Sequence, residues 1–396
     1  MTKLNLGNDL YIHGRIGWRG LSKDEYLDFS NYKIINATAL MDGYVDWNNC
    51  GFISKERYME SEEIMLKEND ILISKDGTLG KIGYVKNLTS FCTVASGIFV
   101  LRNTMPDVLN FDYLYHILKS NIFKDFIRRN KALGSTISHL YQRDLANFVI
   151  DLPDYETQTA IANVLNALDS KIENNDNVND NLYQTLQTIY DYWFTQFDFP
   201  GENGKPYRSS GGKMKWDDVS GREIPTNWEI QRFSDLLSVT TGKEDANFAT
   251  SNGKYKFFTC SSDTSTCDIS AFSGSAILIA GNGDFNVKHF TGEFNAYQRT
   301  YVLIPNDIKY YAAMYIIANS YIKRFKAGSY GSIVKFITKG DVENMLIPIP
   351  DNKELFKTLN NIIFSIENNK KENDKLVELR DWLLPMLMNG QATIKE

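Results

Sequence analysis

Two halves of this 396-residue chain are written in the same pattern. Setting 134–153, GSTISHLYQRDLANFVIDLP, over 331–350, GSIVKFITKGDVENMLIPIP, matches Gly134, Ser135, Asp144, Asn147 and Pro153 with Gly331, Ser332, Asp341, Asn344 and Pro350 at one constant offset. Upstream, ILISKDG (71–77) meets ILIAGNG (277–283), and FVLRN (99–103) meets YVLIPN (301–306). A repeat of about half the chain requires two similar structural units, each with its own core.

The repeat includes a helix. Ile161, Leu165, Leu168 and Ile172, then Leu182, Leu186, Ile189 and Trp193, fall at the alternating four and three spacing of a coiled-coil seam. The second copy answers with Leu355, Leu359, Ile362 and Ile366, and IENN at 172–175 recurs at 366–369. In the middle of both seams stand amides, Asn175 and Asn179 in one and Asn369 and Asn373 in the other. An amide in an apolar seam costs stability unless a partner amide satisfies it, so it penalises slipped alignments and fixes one. These residues therefore face one another if the two helices pair, and a helix over 161–193 is about 50 Å long, a spacer rather than part of a compact core. The competing reading is that the Asn-rich middle frays or opens to water.

Net charge of −6 argues against a nucleic-acid binder until it is located along the chain. Residues 154–191 hold seven acids against Lys171 alone; without them, 42 of the 43 basic residues face 42 of the 49 acidic ones. Basic surfaces elsewhere are thus compatible with the composition. No apolar run approaches the ~20 residues of a membrane span, and the opening MTKLNLGNDLYIHGRIGW lacks a secretory core, so a cytoplasmic protein is expected.

Around the helices the pattern is β-rich. DILISKDGTLGKIGYV (70–85) reads as strand, turn at Asp76-Gly77, and strand; TVASGIFVLRN (93–103) as one more strand; and 111–130 as a helix. Copy two offers strands near 255–260, 276–280 and 298–304, then a helix in 310–326. FDFPGENGKPYRSSGGKMKW (197–216) is a turn-rich connection that places a boundary near 200–222.

No catalytic pattern stands out. GTLGKIG (77–83) lacks phosphate-loop spacing, GNGDFN (281–286) fails a dinucleotide fingerprint at its last position, and DLPDY (151–155) lacks the amide and second proline of a base-methylating loop. Cys50, Cys92, Cys260 and Cys267 form no metal-ligand spacing, and His13, His116, His139 and His289 are scattered. Neither metal nor cofactor is expected.

Basic residues recur at matching places. Lys119, Lys124, Arg128, Arg129, Lys131 and Arg143 face only Asp125 in copy one, while Lys323, Arg324, Lys326, Lys335 and Lys339 face no acid in copy two. A basic run alone is more often a solvated helix face, but its duplication brings the two readings level, and duplicated cationic clusters suit two contacts with phosphate backbones. The candidate DNA-binding set is Arg15, Arg19, Lys75, Lys81, Arg128, Arg129, Lys131 and Ser135 in copy one, and Lys288, Arg299, Lys323, Arg324, Lys326, Ser332 and Lys335 in copy two. Trp193, Phe194, Leu383, Leu384 and Leu387, near the helix ends, read as a partner surface or as ordinary helix packing.

The segments GRIGWRGL (14–21), ILISKDGTLGKIG (71–83), FDFPGENGKPYRSSGGKM (197–214) with EIPTNWEI (223–230), and LRDWLLPMLMNGQ (379–391) give the chain its likeness. It resembles the specificity subunit of type I restriction–modification enzymes along essentially its whole length. The resemblance implies an α+β fold: two β-rich mixed target-recognition domains in a pseudo-twofold repeat, joined by two long antiparallel coiled-coil helices. The domains would span 1–153 and 223–351, the helices 154–195 and 352–390, and a linker 196–222. It further implies a non-catalytic reader of double-stranded DNA, in which each domain takes half of a split site. The helices would dock two modification subunits that carry the methyltransferase chemistry, and restriction subunits would join that assembly. A specificity subunit of a related, non-type I restriction–methylation enzyme, a protein-binding scaffold and an enzyme acting on DNA by itself are the alternatives. Copy two opens with IPTNWEIQRFSDLLSVTTG (224–242), whereas copy one lacks the Pro-x-x-Trp lead, which bears on how the first strand packs.

Overall fold

The computed structural model describes residues 2–15, 20–41, 43–130, 139–201, 204–327, 336–350, 352–388, 392 and 394. Backbone contacts divide the chain into two compact units, Met1–Ile172 with Asp374–Glu396, and Glu173–Asn373.

The first unit opens with β1 (Thr2–Asn5), a one-turn helix α1 (Leu6–Asp9) and β2 (Leu10–Gly14). Asn5 caps α1 by accepting from the Gly7 and Asn8 amides, and Asp9 reaches back to the Asn5 amide at 2.7 Å. Next come β3 (Tyr32–Ile35), β4 (Gly43–Tyr44), β5 (Gly51–Ile53) and α2 (Lys55–Met59). The repeated ILIS segment forms β6 (Ile71–Ser74), followed by β7 (Ile82–Tyr84), β8 (Phe91–Val94) and β9 (Ile98–Asn103). The stretch expected as one strand over 93–103 is therefore two, parted by a turn at 95–97. The helix expected over 111–130 is also two, α3 (Phe111–Lys119) and α4 (Asn121–Asn130), because the Ser120 side chain bonds the Ile117 carbonyl and the Ile122 amide and breaks the run. Then α5 (Gln142–Leu145) and β10 (Val149–Leu152) lead into α6 (Tyr155–Tyr190), which continues as a π-turn over Asp191–Thr195.

The second unit begins its sheets with the hairpin β11 (Met214–Asp217) and β12 (Arg222–Pro225), which starts inside the segment expected as a turn-rich connection. After it come β13 (Glu229–Arg232), α7 (Phe233–Leu236), β14 (Leu237–Thr241), β15 (Tyr255–Phe258) and β16 (Ser265–Cys267). The central strands are β17 (Phe272–Ala280), β18 (Val287–Ala296) and β19 (Thr300–Pro305). The sequence reading missed β18, whose polar residues and Gly292 blur the alternation. Finally α8 (Tyr311–Ala327), α9 (Lys339–Glu343) and β20 (Leu346–Ile349) precede α10 (Lys353–Met388).

The strand orders are the same in both units. The first has β2-β9-β6-β7-β4 and the second β14-β19-β17-β18-β15-β16. In each, one pair is parallel, β4 with β7 and β15 with β18, while the other pairs are antiparallel. Register repeats too: Ile71 lies opposite Leu101 as Ile277 lies opposite Leu303. The small sheet β1-β10 corresponds to β13-β20. Thus β1-α1-β2 is the counterpart of β13-α7-β14, although those segments hardly align as sequence. The units differ where β3, β5 and β8 form a separate three-stranded sheet in the first, and β16 extends the main sheet in the second.

Each central strand is buried on both faces. Ile71 and Ile73 enter a core with α3, α4 and residues Ile161, Leu165, Leu384 and Leu387 of the long helices, whereas Leu72 points into a second core with Ile35, Val94 and Val100. In the second unit Ile277 and Ile279 pack with α8, Leu186, Leu359 and Ile363, and Leu278 with Phe258 and Phe294. The long helices are consequently core elements of both units rather than bare spacers, because their apolar stripe is wider than a two-position seam. In α10 it is Ile363, not the expected Ile362, that is fully buried. Phe194, Leu384 and Leu387 are likewise buried, and Trp193 stacks on Phe199, so packing accounts for these residues. The exposed apolar residues at that end of α10 are Leu379 and Trp382.

Within each unit the two helices run antiparallel. In the second unit Asn175 donates to Asn373 Oδ1 and Glu372 Oε2, both at 2.8 Å, Asn373 donates to Asp176 Oδ1 at 2.8 Å, and Asn369 donates to Asn179 Oδ1 at 2.9 Å. The four asparagines meet as their spacing required, and Asn175 and Asn179 are 3% and 4% exposed. In the first unit Arg380 Nη1 meets Asp169 Oδ1 at 2.8 Å in the same antiparallel sense.

Candidate nucleic-acid interface

The structure sorts the expected cations into three groups. Two are structural. Arg15 is 2% exposed, its Nε donating to the Val94 carbonyl at 3.0 Å and its two terminal nitrogens to Ser61 and Thr93 hydroxyls. It ties β8 to the β2 end and is not available to a duplex, a correction to its place in the DNA-binding set. Lys288 is bound to the Ser261 and Asp263 carbonyls at 2.5 and 3.3 Å, and burial lowers its amine, so it holds a loop and not a phosphate.

A second group stands at the ends of α4 and α8. Arg128 and Arg129 are exposed; the first pairs with Asp125, and the second caps the Asp125 carbonyl at 3.3 Å. In the second unit Lys323 and Arg324 are exposed, with Arg324 over the Tyr321 ring, and Lys326 pairs with Asp284 at 2.6 Å. These two helices occupy equivalent places in the repeated fold, so the cationic ends recur as the sequence anticipated. Arg19, Lys131, Ser135, Ser332 and Lys335 lie outside the described residues.

The third group lies at strand ends. Lys75 follows β6 and Lys81 precedes β7, both half-buried, while Arg299 precedes β19 and is exposed. Lys75 Nζ sits 4.8 Å above the Phe99 ring, and burial lowers its amine. Beside it His139 Nδ1 meets Asp76 Oδ1 at 2.7 Å. Together with Gly14, Tyr141 and Gln142 they line a cavity of about 370 Å³. Sequence reading passed over Asp76 and His139 because they are 63 residues apart and joined only by the fold.

Titratable groups elsewhere join the long helices to the rest of each unit. In the second unit Lys370 donates to Tyr183 Oη at 2.8 Å, Tyr183 lies 2.7 Å from His289 Nε2, and His289 Nδ1 lies 2.8 Å from Glu367 Oε1. Tyr311 donates to the same oxygen at 2.7 Å. Burial pushes His289 down, so the neutral imidazole donates Nδ1–H to Glu367 and accepts at Nε2 from Tyr183. Burial alone would raise Glu367, yet hydrogen bonds from His289 and Tyr311 hold it below the ordinary glutamate value. The first unit has a related arrangement. His116 Nε2 is 2.9 Å from Asn166 Oδ1, and Lys119 and Arg380 converge on Asp169 at 3.3 and 2.8 Å. Burial lowers His116; at Asp169 it is outweighed by the two cations, which lower the carboxyl. Glu367 Oε1 accepts twice while its Oε2 is buried without a hydrogen bond among the described residues, and the other atoms named here are paired within the protein, as in a structural junction.

Among the described residues no group of three or more His, Cys, Asp or Glu could hold a metal ion, and no helix is long and apolar enough to cross a membrane. The four cysteines are free thiols.

Comparison with known proteins gives the geometry its context. The family model described as type I restriction modification DNA specificity domain matches residues 18–184 and again 225–378, the two copies of the repeat. The EcoDI specificity subunit of Escherichia coli is 35% identical over 182 residues, which is 44% of this chain and 41% of that subunit. The MjaIX specificity subunit of Methanocaldococcus jannaschii is 26% identical over 370 residues, covering 84% of this chain and 82% of the relative. The crystal structure of the type I restriction–modification S subunit from M. genitalium shares the fold at a TM-score of 0.56 and 18% identity, over 98% of this chain and 95% of that one. With two family domains spanning most of its length on a twice-repeated sheet and a shared pair of long helices, the chain belongs to the type I restriction–modification DNA specificity family.

Proposed function

We propose that the chain is the non-catalytic DNA-reading subunit of a type I restriction–modification complex, in which each unit reads one half of a bipartite duplex sequence. The helices set the separation of the halves and dock two modification subunits; methyltransfer belongs to those partners, and translocation and cleavage to restriction subunits that join them. The observation that carries this reading is the recurrence of one sheet order, on one helix pair, with different outer strands in the two units. A shared scaffold with divergent edges suits two half-sites of different sequence. The cationic ends of α4 and α8 supply sequence-independent phosphate contacts in this scheme.

The helices α6 and α10 are 36 residues each, about 54 Å at ~1.5 Å per residue, against ~34 Å for a turn of B-DNA. Inserting one heptad into both helices beside the asparagine layer should therefore lengthen the preferred spacer by about three base pairs, at ~3.4 Å per pair, and leave both half-sites unchanged. Footprints with an unaltered spacer would contradict the ruler. Incubated with DNA, S-adenosylmethionine and magnesium, the purified chain alone should neither methylate nor cleave.

A further inference from the structure

In both units one backbone junction recurs with its side chains exchanged. In the first, the Lys75 amide donates to the Gly97 carbonyl at 2.8 Å and the Leu140 amide to the Lys75 carbonyl at 2.9 Å. In the second, the Gly281 amide donates to the Arg299 carbonyl and the Ile337 amide to the Gly281 carbonyl, both at 2.9 Å. Lys75 is thus the counterpart of Gly281, Gly97 of Arg299, and Leu140 of Ile337. The neighbours follow: Asp76 corresponds to Asn282 and His139 to Phe336.

Each junction carries one cation, contributed by opposite strands. Where the first unit has Lys75 beside a glycine, the second has Arg299 beside a glycine. Gly281 can hold nothing larger, because a Cβ there would lie 2.6 Å from the Arg299 carbonyl oxygen. Scaffold residues would be kept alike in the two copies, and phosphate contacts would be shared because both strands of any duplex present the same backbone. Side chains that differ on an identical backbone are instead what two different base sequences require. Among the described residues neither the Lys75 amine nor the Arg299 guanidinium has a hydrogen bond or an ion pair in the protein, the Lys75 amine resting on the Phe99 ring alone. A half-buried ammonium without a hydrogen-bond acceptor is costly unless a ligand supplies one, and Asp76, the carboxylate whose charge acts on Lys75, is engaged by His139. Phe336 is 72% exposed, an unusual position for a large aromatic unless something covers it.

We propose that this junction is the base-reading centre of each unit, with Lys75 and Arg299 each donating to the O6 and N7 acceptors of a guanine, one in either half-site. His139, its Nδ1 engaged by Asp76, presents Nε2 to the adjoining base in one half, and Phe336 contacts a thymine methyl in the other. The inference rests on the bipartite reading proposed above.

The test uses the full chain assembled with its modification subunits and a library of duplexes randomised over the site. Wild type should enrich a two-part sequence with a guanine in each part. Lys75→Ala should relax the guanine in one part only, and Arg299→Ala in the other only, each by about 5- to 150-fold in discrimination; His139→Ala and Phe336→Ala should relax an adjoining position in the same respective part. Melting temperatures check folding. Arg299 and Phe336 are exposed and carry the test if Lys75→Ala does not fold, with Lys75→Gln as the milder variant. A uniform loss of affinity with both parts unchanged would overturn the base-reading assignment while leaving the bipartite reading intact. Failure of wild type to enrich any two-part sequence would overturn both.

Discussion

Glu367→Ala should destabilise the second unit by about 3–5 kcal/mol in urea denaturation, because it strips the acceptor from two buried donors at once. Glu367 is 5% exposed and receives His289 Nδ1–H and the Tyr311 hydroxyl on one oxygen. Glu367→Gln keeps an acceptor and should cost only about 1–2 kcal/mol. A loss below 1 kcal/mol for the alanine variant would mean that the junction contributes little. The same junction fixes a pH response. His289 and His116 are held neutral by burial, with folded values below their ordinary 6.5. Between those folded values and 6.5 the unfolded chain binds more protons, so stability rises with pH and is lost on acidification below about pH 6.5, by up to ~1.4 kcal/mol per pH unit for each imidazole. The depressed Glu367 and Asp169 continue the loss below the ordinary carboxyl values as they protonate.

The asparagine layer gives the second large effect, and its sign depends on how many amides are changed. Asn175→Ala alone should cost about 1–3 kcal/mol, since it removes a buried amide that donates across the seam to Asn373. Replacing Asn175, Asn179, Asn369 and Asn373 together by leucine removes the polar groups as well as their bonds, and should be neutral or stabilising by up to ~4 kcal/mol. What that variant should lose is a single alignment. Tyr183→Cys with Lys370→Cys, at a contact of 2.8 Å between the native side chains, should join in high yield through a short thiol cross-linker when the amides are present, and in lower yield beside slipped products when they are leucine. Equal yields in both backgrounds would show that the apolar residues alone fix the register.

Much of this architecture was legible in the chain because the repeat is strongest where the fold is most constrained. The match of ILIS with ILIA marks the central strands, which must be apolar on both faces, and the paired IENN segments mark the amide layer. Periodicity could not tell a spacer from a core helix, since a wide apolar stripe satisfies both the partner helix and the sheet. Ser120 and β18 escaped for local reasons: a hydroxyl that ends one helix and starts another, and a strand with a glycine and charges in its middle. Charge alone misassigned Arg15 and Lys288, whose hydrogen bonds are to carbonyls and hydroxyls brought from distant segments. The pairing of His139 with Asp76 is a side-chain contact across distant segments, and the match of Gly97 with Arg299 comes only from equivalent backbone hydrogen bonds, so no spacing rule would find them.

The central claim is that one chain with two reading units dictates a two-part DNA sequence. Mapping modified bases across the genome of cells carrying this chain with its modification subunits tests it most directly. The account predicts a single split motif with one modified base in each part, which disappears when the chain is deleted; an uninterrupted motif, or a pattern that survives the deletion, would contradict it.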